Sequence, residues 1–124
     1  MPAPESLVGH RIVAAPSAID AIVGTLPAEA TALRFAPDEV LVLGASPIHI
    51  DDPHAVVEDE VGFVAVPVER EAVERHTEWL LPAGGAIAQG AIAGVPAKLA
   101  RLPDGRVWVV TYAAYVADLL DRLR

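Results

Sequence analysis

Proline and glycine restrict what this chain can fold into more than any other feature of its sequence. The 124 residues include 11 prolines and 9 glycines. Both residue types interrupt regular structure, because proline lacks a backbone N–H donor and glycine is conformationally free. The elements between them must be short. Since the length suits one core, we expect a loose arm over residues 1–10 and a single domain over residues 11–124.

Three segments have the apolar spacing that is typical of amphipathic helices. Ser17 and Asp20 have the spacing of a capping box, which predicts a first helix at about residues 17–25. A second helix is predicted over residues 69–81, and a third follows Thr111 as its cap. The buried stripe predicted for the third helix comprises Tyr115, Val116, Leu119, Leu120 and Leu123.

Short runs rich in β-branched residues predict the strands, and two Pro-Asp turns predict hairpins at residues 36–39 and 103–105. Residues 44–60 are predicted to be mainly loop with a short edge strand at most. This pattern favours an α+β fold, an antiparallel sheet with helices packed on one face and ferredoxin-like halves. The predicted strands cover residues 31–35, 39–43, 61–66, 86–95, 97–102 and 106–110.

Charge and composition exclude several classes of partner and site. The formal net charge is -8, and Lys98 is the single lysine, so neither a nucleic-acid backbone nor an anionic membrane is an expected partner. There is no cysteine, which excludes disulfides and thiolate sites. The first residues lack the basic and apolar regions of a signal peptide, so we expect the cytoplasm.

The densest cluster of metal-ligating side chains lies in a proline-containing loop. His49, Asp51, Asp52 and His54 stand within six residues, around Pro53. Imidazoles and carboxylates can hold a divalent metal, but only on a rigid frame. The spacing matches no helical pair, so we predict a solvated turn in which aspartate accepts backbone hydrogen bonds. No metal site is predicted.

Other reactive side chains do not form a catalytic pattern. His76 is predicted on the apolar face of the second helix, with no nucleophile or carboxylate beside it by spacing. The glycine-rich residues 84–90 lack the Lys-Ser/Thr of a phosphate-binding loop. We therefore predict no catalytic residue and no cofactor. Trp79 and Trp108 are the candidate interface residues, because an exposed indole marks a partner surface.

Five segments, in order along the chain, resemble the gamma subunit of heterotetrameric sarcosine oxidase. They are residues 33–44 (LRFAPDEVLVLG), 85–89 (GAIAQ), 93–99 (AGVPAKL), 101–105 (RLPDG) and 112–120 (YAAYVADLL). The resemblance covers about residues 16–124 and lies in the order and spacing of these motifs. It implies a fold related to the aminomethyltransferase (glycine-cleavage T-protein) domain, and an accessory subunit without its own flavin in a complex that oxidises N-methyl amino acids with folate.

The chain also departs from the family pattern. It is shorter than a typical gamma subunit, Thr111 and Tyr112 stand where Arg-Ser is expected, and Val40 replaces a tryptophan. No catalytic residue can be carried over from the family to this sequence. Membership of the superfamily is therefore better supported than a place in an active oxidase complex.

Three functional hypotheses follow from the sequence. The first is a non-catalytic accessory subunit or interaction module, with self-association or flavoprotein oxidase subunits as partners. The second is a free-standing protein that binds a small folate-like ligand in a cleft. The third is a small enzyme that uses His76 or the loop from His49 to His54.

Overall fold

The protein is described by a computed structural model over residues 3–45, 48–69, 71, 75, 87–102 and 105–123. Two compact units are present. The terminal unit comprises Met1–Ser6 and Gly62–Arg124, and the inserted unit comprises Leu7–Val61. The elements in chain order are β1 (Glu5–Ser6), β2 (Gly9–Val13), α1 (Pro16–Thr25), β3 (Thr31–Ala36), β4 (Glu39–Leu43), β5 (Val56–Glu60), β6 (Phe63–Val68), β7 (Ile87–Ile92), β8 (Val95–Arg101), β9 (Val107–Tyr112), a 3₁₀ turn (Ala113–Tyr115) and α2 (Val116–Arg122).

The inserted unit is a four-stranded antiparallel sheet with one helix on one face. Its strand order is β3-β4-β2-β5, and α1 packs Ile19 and Ile22 onto the sheet. The helix begins at Pro16, one residue before the predicted start, because proline suits the first helical position. The predicted capping box is wrong, since Asp20 pairs with Arg34 of β3 instead. The sheet residues of this core are Ile12, Ala14, Val40 and Val42.

The terminal unit is a five-stranded antiparallel sheet in the order β1-β6-β9-β8-β7. Leu119 of α2 and Leu123, which directly follows the helix, insert into an aliphatic core on one face. Arg122, the last residue of α2, donates from Nη1 to the Ala93 carbonyl at 3.0 Å. Both units therefore have the predicted α+β class, with strands divided between two sheets. The strand residues of this core are Val66, Ile92, Val95, Ala97, Leu99, Val107 and Val109.

The segment expected to be a loose arm contains strands. Glu5–Ser6 pairs with β6, and Gly9–Val13 lies between β4 and β5 in the inserted unit. Ile12 is fully buried there because it lies in the core with Ile19 and Ile22 of α1. A five-residue strand with Gly9 at its start has too short an apolar pattern to be recognised locally.

The predicted strand over residues 86–95 is confirmed at Ile87–Ile92, but it ends there in the turn of a hairpin. β7 ends at Ile92, and β8 starts at Val95. Between them Ala93 and Gly94 have φ of 52° and 79°, the left-handed values of a tight primed turn. Gly94 therefore serves the turn and not strand packing.

The last helix begins later than predicted. Thr111 belongs to β9, and its hydroxyl donates to the Pro96 carbonyl at 2.9 Å. The predicted Pro-Asp hairpin is confirmed at its described residues, because Gly105 has φ of 92° and its N–H donates to Leu102. Most of the predicted helix over residues 69–81 lies outside the described residues.

Candidate interaction site

The terminal unit has a groove lined by aromatic side chains on the sheet face opposite to the α2 core. Phe63 of β6 and Tyr112 of β9 are cross-strand partners, and their rings stack at 4.6 Å between centroids with 21° between planes. Phe63 is buried, whereas Tyr112 is 47% exposed. The pair thus forms a fixed aromatic surface with one ring inside and one ring in solvent.

Polar side chains flank these rings. Lys98 of β8 lies opposite Gln89 of β7, and its ammonium donates to the Gln89 Oε1 at 3.0 Å. Lys98 also lies opposite Val110, whose side chain is fully buried in the sheet. The groove encloses about 480 Å³, and Pro96 contributes to its wall. We name this surface the aromatic groove; the residues that line it include Phe63, Gln89, Pro96, Lys98, Val110, Tyr112 and Tyr115.

Tyr115 was predicted inside the buried stripe of the last helix, and this prediction is wrong. It lies in the 3₁₀ turn before α2 and is 41% exposed. Helical spacing does not apply to Tyr115, because β9 continues through Tyr112 and α2 begins only at Val116. Of the five residues predicted for this stripe, only Leu119 and Leu123 are buried.

The aromatic groove is suited to contact and not to bond chemistry. Tyrosine combines a large apolar ring with a hydroxyl, so exposed tyrosines often anchor protein interfaces. The sequence signal was available in the two tyrosines of the chain, Tyr112 and Tyr115. It was missed because Tyr112 stands beyond the predicted end of its strand.

The two tryptophans named as interface candidates have different positions. Trp108 is buried in β9 between Pro67 and Ala100, and the Arg106 guanidinium carbon lies 5.9 Å from its ring centroid. That geometry is a cation–π contact within the chain. Trp79 lies outside the described residues. The interface role of both indoles stays a prediction.

The loop that carries the histidines has a structural role at α1. The Asp52 carboxylate accepts hydrogen bonds from the backbone N–H groups of Ala15 and His54, both at 2.9 Å. These two backbone hydrogen bonds hold the pKa of Asp52 below its usual value, and the bond from Ala15 has the larger effect. Aspartate therefore caps backbone amides in this turn, as predicted from the sequence.

No group of three or more His, Asp or Glu side chains that could hold a metal ion occurs in the described part of the chain. His49 and His54 lie in that part, whereas His76 lies outside it. Over the same ranges, no helix is long and apolar enough to span a bilayer.

The fold has a counterpart among solved structures. The chain matches no family model, and no curated protein matches its sequence. As an α+β protein with antiparallel sheets, it is similar to a chain of the heterotetrameric sarcosine oxidase from Corynebacterium sp. U-96 in complex with pyrrole 2-carboxylate. The match covers 97% of this chain and 80% of that chain, with a TM-score of 0.67 and 14% identity. At this identity the similarity shows a shared fold.

Proposed function

We propose that this protein is a non-catalytic accessory subunit or interaction module of a multisubunit assembly, resembling the gamma subunit of heterotetrameric sarcosine oxidase. The observation that carries the proposal is the fold similarity over 97% of the chain to one chain of a heterotetramer. The match also covers 80% of the counterpart, so most of that chain's fold is represented here. The proposal includes a cytoplasmic location and flavoprotein oxidase subunits as partners.

The aromatic groove supports a partner-binding role. Tyr112 at the end of β9 and Tyr115 in the 3₁₀ turn are both partly exposed and both line the groove, as does Lys98. Interfaces are enriched in tyrosine because its ring buries much apolar area at a small cost in conformational entropy. Phe63 beneath Tyr112 holds that ring in place, so little order has to be gained on binding.

The test is co-expression of the tagged chain with the other subunits of a heterotetrameric sarcosine oxidase. We expect a stoichiometric complex by size-exclusion chromatography with light scattering. The double variant Tyr112→Ser and Tyr115→Ser should weaken the complex at least about tenfold, since interface aromatics act as hot spots. The control Val23→Ser removes a comparably exposed apolar side chain from α1 and should leave the complex intact.

Two outcomes would overturn the proposal. One is a chain that remains a monomer with every such subunit at high micromolar concentration. The other is a complex that tolerates the double tyrosine substitution as well as it tolerates Val23→Ser.

A free-standing small-ligand binder is the second candidate, and the size of the aromatic groove favours it. A volume of about 480 Å³ lies within the range of ligand pockets, and the stacked rings could hold a heteroaromatic group. The net charge of -8 opposes a polyglutamylated folate. Thermal shift with monoglutamyl folates tests this function: a rise of several degrees supports it, and no rise at millimolar ligand excludes it.

A further inference from the structure

Strand β5 forms one edge of the inserted unit's sheet. It pairs with β2 along all five of its residues, from Val56 opposite Val13 to Glu60 opposite Gly9. No strand among the described residues pairs with its other side. Such an edge presents backbone N–H and C=O groups that an added strand can use.

The side chains of β5 are apolar at one end and acidic at the other. Val56 is 48% exposed and Val57 is 41% exposed. Glu58, Asp59 and Glu60 follow, and Val61 beyond them is exposed again. From Val56 to Val61, the side chains are therefore apolar, then acidic, then apolar.

This strand has acidic side chains but lacks other common protections of an edge. Natural edge strands are commonly blunted by charged side chains, especially lysine, by proline or by a bulge. The sequence of β5, VVEDE, contains no lysine or proline, and its pairing with β2 is continuous without a bulge. Opposite Glu58, Arg11 forms its ion pair with Glu39 of β4. Opposite Asp59, His10 lies 3.2 Å from the carboxylate, which is 90% exposed.

We propose that β5 is a docking edge for an extended segment of a partner protein, with a basic centre and apolar ends, which adds as a fifth strand to this sheet. Backbone hydrogen bonds would supply affinity, and opposite charges across the new strand pair would supply selectivity. The proposal rests on the partner-binding role proposed above and assigns that role a second surface.

Charge complementarity decides the kind of occupant. Antiparallel pairing of two copies of β5 over all five residues would place Glu58 opposite Glu58, and like charges destabilise such a pair. In the same register Asp59 and Glu60 would face valines, so a second copy brings no opposite charge to them. A basic segment of another chain instead neutralises Glu58 and Asp59 while it covers Val57. The net charge of -8 also favours the approach of a basic partner at low salt.

The test uses the full chain and an end-blocked, fluorescent hexapeptide in which three consecutive lysines are flanked on both sides by valine. We expect saturable binding and slower hydrogen exchange at the backbone amides of residues 56–60. Binding should fall about fivefold with Glu58→Lys, since one cross-strand charge pair becomes a repulsion. The control Glu29→Lys makes the same change in net charge at an exposed site outside β5 and should stay within about twofold of wild type.

A second peptide separates strand addition from simple charge attraction. Methylation of the backbone amide nitrogen at alternate lysines removes backbone donors but keeps the side-chain charge, so it should abolish binding. Three results would each overturn the proposal. The methylated peptide could bind as tightly as the unmethylated one, or Glu58→Lys and Glu29→Lys could weaken binding equally. The third is slow hydrogen exchange of β5 in a dimer of the chain without peptide. The oxidase-subunit complex can still form in that case, because its test depends on the aromatic groove.

Discussion

Gly9 offers the sharpest test of the fold, because it is the first residue of β2, the strand that the sequence did not predict. It pairs with Leu43 on one side and Glu60 on the other. A Cβ added here would overlap the Val42 carbonyl oxygen and lie 2.8 Å from the Leu43 Cδ2. The first obstacle is backbone, so a change of rotamer cannot relieve it. β2 would have to move away from β4.

The expected cost of Gly9→Ala follows from that displacement. Overpacking of a well-packed site costs about 1–3 kcal/mol, and a lost strand hydrogen bond adds about 1 kcal/mol. We expect unfolding free energy to fall by about 2–4 kcal/mol, a large part of the roughly 5–15 kcal/mol of a typical domain. With a urea m-value of about 2 kcal/mol/M, the middle of the usual range, the midpoint should fall by about 1–2 M.

The assay is urea unfolding followed by far-ultraviolet circular dichroism, with Gly24→Ala as control. Gly24 lies in α1 with no atom within 4 Å of an added Cβ, so alanine there should stabilise the protein by about 0.5–1 kcal/mol. A Gly9→Ala midpoint within about 0.3 M of wild type would refute the tight packing of β2 against β4.

Three further substitutions test other contacts, each by urea unfolding. Asp52→Asn should lower the free energy of unfolding at neutral pH. Because the pKa of Asp52 is lowered in the folded state, its contribution is present above the unfolded-state pKa and is lost as pH falls through the folded-state pKa. The variant and wild type should therefore converge in acid, and a difference independent of pH would contradict this. Leu119→Ala should cost about 2–5 kcal/mol because Leu119 is fully buried in the α2 core, and a loss below about 1 kcal/mol would argue against that packing. Gly94→Ala should cost about 1–2 kcal/mol, since φ of 79° strains alanine and its Cβ would lie 2.7 Å from the Arg122 Nη1; no loss would contradict the turn geometry.

Local chemistry was sufficient for the hairpins and one helix. The strand at Glu39–Leu43 has its predicted bounds, because a proline-aspartate turn and a run of β-branched residues define it within the segment itself. α1 lies within one residue of its prediction, because the helical spacing of its apolar residues lies within the segment itself. The capping role of Asp52 was also foreseen, since a short carboxylate beside proline bonds to nearby amides wherever the turn lies.

The tertiary structure decided the rest, because strand pairing depends on residues distant in sequence. Gly9 becomes part of a sheet only through Leu43 and Glu60, and a five-residue strand carries too little periodicity to reveal those partners. Tyr112 and Phe63 are separated by most of the terminal unit's sequence, yet the register of β6 and β9 stacks their rings. The sequence by itself determined the α+β class and its turns, whereas register over long separations created the aromatic groove and the edge at β5.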